Sequence, residues 1–318
     1  MPYLIGTDEA GYGPNLGPLT VTGTLWEVSS PGIDLYDALQ SVVTNQAIGS
    51  NPDPKLFVAD SKKVYGGSIA NLELGVLAMA YVATDHVPAD WQELVELICP
   101  PESVSVLREE FWLKGQTLQI PMKADLNEIR VLGDQFRKAC QSALVRLNEI
   151  QCVPVFPQQF NSQLQVLGNK ATLLSTETLN IVRHLMNRSD DDIEIGCDKH
   201  GGRSKYAGLI QAILTDEFVV IGEESLEFSD YSFRENDRDV FIRFQARGES
   251  FMPTALASMV SKYLREVFMT LWNNFWLLRI PGIKPTKGYP VDAKRFKSEI
   301  ATVQSELGID DRLIWRNK

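Results

Sequence analysis

Asp8 and Glu9 are adjacent carboxylates. They follow a short apolar run, Tyr3 to Thr7, and precede Gly11-Tyr12-Gly13-Pro14-Asn15-Leu16-Gly17-Pro18, a turn holding three glycines and two prolines. The apolar run reads as a strand, so both acids are expected at a strand's end rather than on a helix surface. Such a pair suits a hard divalent cation. Magnesium takes oxygen donors, often only one or two carboxylates plus phosphate oxygens of a substrate. The glycines let backbone amides approach a ligand closely, and a loop of this kind can hydrogen-bond a sugar or phosphate through its N–H groups. On its own the pair reads more readily as a solvated acidic turn; the glycines and prolines around it shift that balance.

Further groups with chemical potential lie far along the chain. A strand from Ile193 to Cys197 delivers Asp198 into a glycine-rich loop, His200-Gly201-Gly202-Arg203. Asp60-Ser61-Lys62-Lys63 and Lys287-Gly288-Tyr289-Pro290 are polar turns, and taken singly each is only that. Glu266 on a long helix reads singly as the partner of Lys262 one turn earlier. Phosphate contacts are available from Lys62, Lys63, Arg203, Lys205, Lys262 and Lys287, and His200 offers a group that titrates near neutral pH. Cys99, Cys140, Cys152 and Cys197 form no C-x-x-C pair, which argues against zinc and redox motifs and for buried thiols. Only three histidines are present, so a histidine-based metal site is not expected.

The elements that must position these groups belong to an ordinary globular chain. Its 318 residues are 44% hydrophobic and 23% charged, enough for a sizeable core. No apolar run reaches the roughly 18–20 residues of a membrane span, and the start lacks the pattern of a signal peptide; a cytoplasmic protein with no membrane partner is expected. Acids outnumber bases 41 to 31, for a net charge of −10. That balance counts against a simple nucleic-acid binder, although a local basic face can coexist with it. Tyr3–Thr7 and Leu19–Trp26 are expected to form a hairpin. Helical spacing is read over 34–46, 125–150 and 170–187, the second as the strongest helix. The stretch 67–187 reads as mostly helical or irregular. A helix over 204–214 and strands near 218–221 and 240–246 follow. Thr254 is expected to cap a long helix, and Asp292 a last one. Strands mixed with helices argue for an α/β or α+β domain.

The run Asp8-Glu9-Ala10-Gly11-Tyr12-Gly13-Pro14-Asn15-Leu16-Gly17-Pro18 strongly resembles the signature D-E-A-G-R-G-P-x-x-G-P of type-2 ribonucleases H, with Tyr12 where the family has arginine. Three further segments are similar to that family's, in the same order. Asp60-Ser61-Lys62-Lys63 resembles D-S-K-K. Ile195-Gly196-Cys197-Asp198 resembles the strand ending in the third acid, with Lys199 replacing a glycine. Ala257 to Glu266 resembles A-S-I-V-A-K-V-T-R-D, with Glu266 at the fourth acid, and Lys287-Gly288-Tyr289-Pro290 matches K-G-Y-P beyond it. The gaps between the later segments are longer than the family's.

The resemblance implies a ribonuclease H-like α/β fold, a mixed sheet flanked by helices with helical insertions and a C-terminal helical portion. The expected division is a catalytic domain over 1–252, with a helical insertion near 85–150, and a helical portion over 253–318 that completes the active site. It also implies a metal-dependent endonuclease that hydrolyses RNA strands or ribonucleotides in RNA/DNA duplexes. Asp8, Glu9, Asp198 and Glu266 would hold two Mg2+ or Mn2+ ions about 4 Å apart around the scissile phosphate, leaving 3′-hydroxyl and 5′-phosphate ends. Gly11, Tyr12, Gly13, Ser61, Lys62, Lys63, Lys262, Lys287 and Tyr289 would contact the substrate. In the family the glycine–arginine–glycine backbone and this tyrosine read the ribose 2′-hydroxyl, which only RNA offers. Tyr12 lacks an arginine's charge and forked donors, so specificity for a single embedded ribonucleotide stays open. Two other readings stand beside this one: a nuclease for another nucleic-acid structure such as a branched junction, and a catalytically weak module that binds nucleic acid or protein. Protein partners are not legible.

Overall fold

The computed structural model describes residues 1–47 and 54–317. It opens with strands β1 (Tyr3–Ala10) and β2 (Leu19–Glu27), then a one-turn helix α1 (Leu35–Ala38) and two short strands, β3 (Val43–Thr44) and β4 (Leu56–Phe57). Helices α2 (Ser61–Tyr65), α3 (Ala70–Thr84), α4 (Trp91–Ile98), α5 (Pro101–Glu109) and α6 (Leu126–Ala143) follow. Next come β5 (Arg146–Val155), α7 (Pro157–Leu167), α8 (Lys170–Met186), β6 (Ile193–Asp198) and α9 (Ala207–Ile213). A meander of β7 (Val220–Glu224), β8 (Phe228–Glu235) and β9 (Arg238–Gln245) leads into α10 (Met252–Leu277) and α11 (Pro290–Glu306).

The larger sheet has seven strands in the order β5-β2-β1-β6-β9-β8-β7. It is mixed: β1 runs parallel to β6 and β6 to β9, while the flanking pairs are antiparallel. The mixed sheet with helices on both faces is therefore present as expected. Alternation along β1 sends Leu4 to one core, with α3, α6 and α10, and Ile5 to the other, with α8 and α9. In register, Thr7 lies opposite Cys197 on β6. The next step along both strands brings Asp8 and Asp198 side by side, so the topology joins acids that are 190 residues apart in sequence.

Helix α10 crosses β1 and β2 very closely. A Cβ on Gly6 would lie 2.1 Å from the Pro253 carbonyl carbon and 2.2 Å from the Thr254 nitrogen. Both are backbone atoms, so no rotamer change relieves the clash. Gly6→Ala is expected to lower stability by at least the roughly 1–3 kcal/mol typical of overpacking, read as a fall in the urea midpoint. An unchanged midpoint would mean that α10 can lift off β1 freely.

Several expectations need correction. The helix read over 34–46 stops after one turn: Asp34 caps it, and Val43-Thr44 pairs with β4 as a strand, where β-branched side chains sit well. The helix read over 125–150 ends at Ala143; Leu144 takes a left-handed conformation and residues 146–155 become β5, paired along β2. Leu147 and Ile150 continue the helical spacing by coincidence. β8 was not anticipated, although its buried Ser229, Tyr231 and Phe233 alternate as a strand requires. Thr254 lies inside the first turn of α10, its hydroxyl donating to the Gly196 carbonyl at 2.9 Å, and Phe251 takes the cap position. Asp292 likewise lies inside the first turn of α11, accepting from the Thr286 hydroxyl and from Arg295. β1 itself runs through both acids to Ala10 rather than ending before them.

Candidate active site

Asp8 is buried, and its Oδ1 accepts the Glu9 amide at 2.7 Å. Burial raises its pKa well above the usual carboxylate range, and the charges of Glu9 and Asp198 raise it further; the Ser258 hydroxyl and the Glu9 amide pull the other way. Glu9 is also raised, to about 7, by burial and then by Asp198, with Asp8 and Lys62 opposing. Its Oε2 is buried without a hydrogen-bond partner. Asp198, at the end of β6, is raised by burial and eased by the amides of Gly248, Lys199 and Arg247 and by Lys62. The Gly248 amide donates to its Oδ1 at 3.1 Å. Burial thus disfavours ionisation of all three carboxylates, the charges of Glu9 and Asp198 add to this at Asp8, and that of Asp198 adds to it at Glu9.

Lys62 is the cation that reaches this group, acting on both Glu9 and Asp198. Helix α2 carries it. Asp60 caps that helix by accepting the Lys62 amide at 2.7 Å, and Ser61 is anchored by the Ser258 hydroxyl at 3.1 Å. Lys63 is exposed on the same turn. The Ser261 hydroxyl donates to the Asp8 carbonyl at 3.1 Å, fixing α10 against β1 at the site.

Glu266 is placed differently. Its two oxygens are taken by Lys262 at 2.6 Å and Lys287 at 2.7 Å, and these cations hold its pKa below the usual range despite burial. Both ammonium groups also lie 5.0 Å from the Tyr65 ring centroid, and Lys287 contacts the Tyr65 hydroxyl at 3.0 Å. The charge of Glu266 is not among the largest influences on Asp8, Glu9 or Asp198. The structure thus brings together three of the four expected acids. It pairs the fourth with two of the lysines expected on the substrate.

The glycine-rich loop lies beside the acids. Gly11 has φ +88°, a left-handed conformation that disfavours a side chain, and a Cβ there would meet Arg265. Gly13 faces open space. Tyr12 packs over the loop after β6: a Cβ on Gly201 would fall 2.7 Å from its hydroxyl. Gly288 accepts the Asn15 amide at 2.8 Å, so the 287–290 turn, with exposed Tyr289, clasps this loop. Arg203 donates to the Thr172 hydroxyl at 2.7 Å, and Lys205 is exposed.

His200 is no proton shuttle. It is buried between the Ser175 and Thr178 hydroxyls, at 2.9 and 3.3 Å, against the Tyr206 and Phe244 rings. Burial, aided by the charge of Arg203, lowers its pKa to about 3, so it stays neutral. Sequence reasoning missed the amides that hold Asp198 and the role of Ser258. The serine lies inside the Ala257–Glu266 segment and was within reach of such reasoning; the amides carry no side-chain signal. The four cysteines are buried and free, as expected.

The donors have the chemistry for a hard cation: three carboxylates, an unpartnered Glu9 oxygen and an excess of negative charge. As they stand, among the described residues no three His, Cys, Asp or Glu side chains converge closely enough to hold a metal ion. A cation would have to draw the carboxylates inward. Among the described residues, no helix is long and apolar enough to cross a membrane.

No protein-family model matches the chain, and no curated protein does. Solved structures superpose over nearly its whole length. Ribonuclease HII of Archaeoglobus fulgidus, solved in complex with PCNA, is 13% identical, with 99% of this chain and 94% of that one covered and a TM-score of 0.42. Ribonuclease H2 from Pyrococcus horikoshii OT3 is 13% identical, with 98% and 92% covered and a TM-score of 0.45. Bst-RNase HIII, solved with Mn2+, is 14% identical, with 99% and 66% covered and a TM-score of 0.39.

Proposed function

We propose that the chain is a divalent-metal-dependent endonuclease acting on RNA strands or ribonucleotides in RNA/DNA duplexes. The observation that carries this reading is the meeting of Asp8, Glu9 and Asp198 on neighbouring parallel strands, each with its ionisation disfavoured by burial and, for Asp8 and Glu9, by a neighbouring acid's charge. These acids fall at the positions where the sequence resembles the type-2 ribonuclease H signature.

In this reading Asp8, Glu9 and Asp198 hold Mg2+ or Mn2+. The metal supplies the positive charge that makes a water nucleophilic near neutral pH and offsets charge on the departing 3′-oxygen. Lys62, already facing Glu9 and Asp198, adds positive charge on the phosphate's side, and exposed Lys63 extends it along the strand. Gly13 leaves the loop backbone open to the ribose, with Tyr12 beside it and exposed Tyr289 on the turn that clasps the loop. Lys262 and Lys287 reach the substrate only as far as Glu266 releases them. The division at residue 252 belongs to the same reading: α10 completes the site through Ser258 and Ser261.

Glu266 separates this account from a simple transfer of the family's four-acid site. With its charge already balanced by two lysines, Glu266→Gln is expected to lower cleavage by about tenfold or less, the scale of one ordinary net hydrogen bond. A loss as deep as that of Asp198→Asn would instead make it a metal ligand. The same ion pairs, with Tyr12 in place of arginine, favour a second reading, a module that binds nucleic acid without cutting it.

One assay decides between them. The protein is incubated with Mg2+ or Mn2+ and a labelled RNA/DNA hybrid, a DNA duplex carrying one ribonucleotide, and a branched DNA. Cutting confined to ribonucleotide-bearing substrates supports the proposal. Cutting of the branch alone moves the substrate class, and no cutting with either metal leaves the binding module.

A further inference from the structure

The Gly11–Pro14 turn is held from beneath by a residue at the other end of the chain. Arg316 is fully buried, and its Nη2 donates to the Gly11 carbonyl at 2.6 Å and to the Pro14 carbonyl. Its backbone joins the same loop: the Arg316 amide donates to the Asn15 carbonyl at 2.8 Å, and the Asn15 side-chain amide to the Arg316 carbonyl at 3.0 Å. Asn161 on α7 fixes the segment by donating to the Trp315 carbonyl and accepting the Asn317 amide, both at 2.8 Å. Arg265 takes the next carbonyls, Leu16 at 3.3 Å and Lys287 at 3.0 Å. Neither guanidinium is ion-paired among the described residues, and each keeps a buried Nε without a partner. Burial and the neighbouring Arg265 charge lower the Arg316 pKa to about 9.

Two buried cations without acids are costly to assemble. Here Arg316 binds the Gly11 and Pro14 carbonyls and Arg265 the Leu16 carbonyl of the same loop and the Lys287 carbonyl of the adjoining turn, which fixes the loop's shape and sets positive charge behind it. The outer side of that loop, at Gly13, is open.

We infer that Arg316 is a positioning residue for the active-site loop: by gripping the carbonyls of Gly11 and Pro14 it locks the turn whose open face receives the substrate's sugar–phosphate backbone. This rests on the nuclease reading for the identity of the substrate, but the locking does not.

The test uses the full chain as Arg316→Met, Arg316→Lys and Asn161→Ala. Amide hydrogen exchange over residues 11–17 is measured without substrate, and kcat and KM are measured on an RNA/DNA hybrid. Arg316→Met should speed exchange in that loop by about tenfold or more and raise KM about tenfold with kcat changed far less. Arg316→Lys should recover part of both, since lysine keeps the charge but not the fork. Asn161→Ala, which loosens the segment but keeps the arginine, should act in the same direction more weakly; it carries the test if Arg316→Met does not fold. Unchanged loop exchange in both Arg316→Met and Asn161→Ala would overturn the inference. So would a parallel loss of kcat and kcat/KM that merely tracks a lower Tm. A wild-type protein that cuts nothing would overturn the nuclease reading, and with it the substrate half of this inference, while the exchange data still judge the lock.

Discussion

Asp8→Asn should abolish metal-dependent cleavage almost completely while making the metal-free protein more stable. The loss follows from the acid's place among three carboxylates. Charge stabilisation by a catalytic cation is worth several kcal/mol, and each 1.36 kcal/mol is a factor of ten in rate, so a fall of about a thousandfold or more is expected. The gain follows from the same charges. Asp8 is buried and repelled by Glu9 and Asp198, and asparagine keeps its shape without the charge. Single-turnover cleavage and melting of the metal-free protein read the two effects. Loss of activity together with a lower Tm would point to a structural acid instead, and an active variant would remove Asp8 from the chemistry.

Glu9→Gln should alter stability in a pH-dependent way. The folded-state pKa is raised from 4.5 to about 7, so the fold binds a proton more tightly than the unfolded chain does. The stabilisation this brings is complete below about pH 4.5 and is lost as the pH rises through about 7. A shift of this size amounts to up to roughly 3 kcal/mol. Glutamine resembles the protonated acid at every pH. The variant should therefore match the wild type near pH 4 and exceed it by up to about 3 kcal/mol near pH 9, in urea unfolding without divalent metal. His200 acts in the opposite direction. Its pKa is lowered to about 3, so its contribution is complete above about 6.5 and lost as the pH falls towards 3. It is present in both proteins and cancels from their difference. A difference that does not grow between pH 4 and 9 would contradict the electrostatics of the site.

What could be read in the sequence was local. The Asp8-Glu9 hairpin, the strand ending at Asp198 and the long helix α10 announced themselves through short-range pattern, and the structure has all three. The pairing of β1 with β6 was not legible, because it depends on a crossover of more than 180 residues. β5 hid because its apolar residues prolonged the spacing of α6. At the site, residue types were legible and partners were not. Lys262 and Lys287 were expected on the substrate and instead meet on Glu266, a contact made by chain segments 21 residues apart. Arg316 gave no signal at all, since a lone arginine beside Trp315 resembles any other surface cation until the fold buries it beneath Gly11.

The central claim is that Asp8, Glu9 and Asp198 together bind the catalytic cation. Calorimetric titration of Mn2+ into the wild type and into Asp198→Asn, near pH 8 and near pH 6, tests it most directly. The expected result is saturable binding by the wild type, weaker at the lower pH where protons compete for the carboxylates, and lost in Asp198→Asn. A wild type that takes up no cation, or an Asp198→Asn protein that binds it equally well, would contradict the claim.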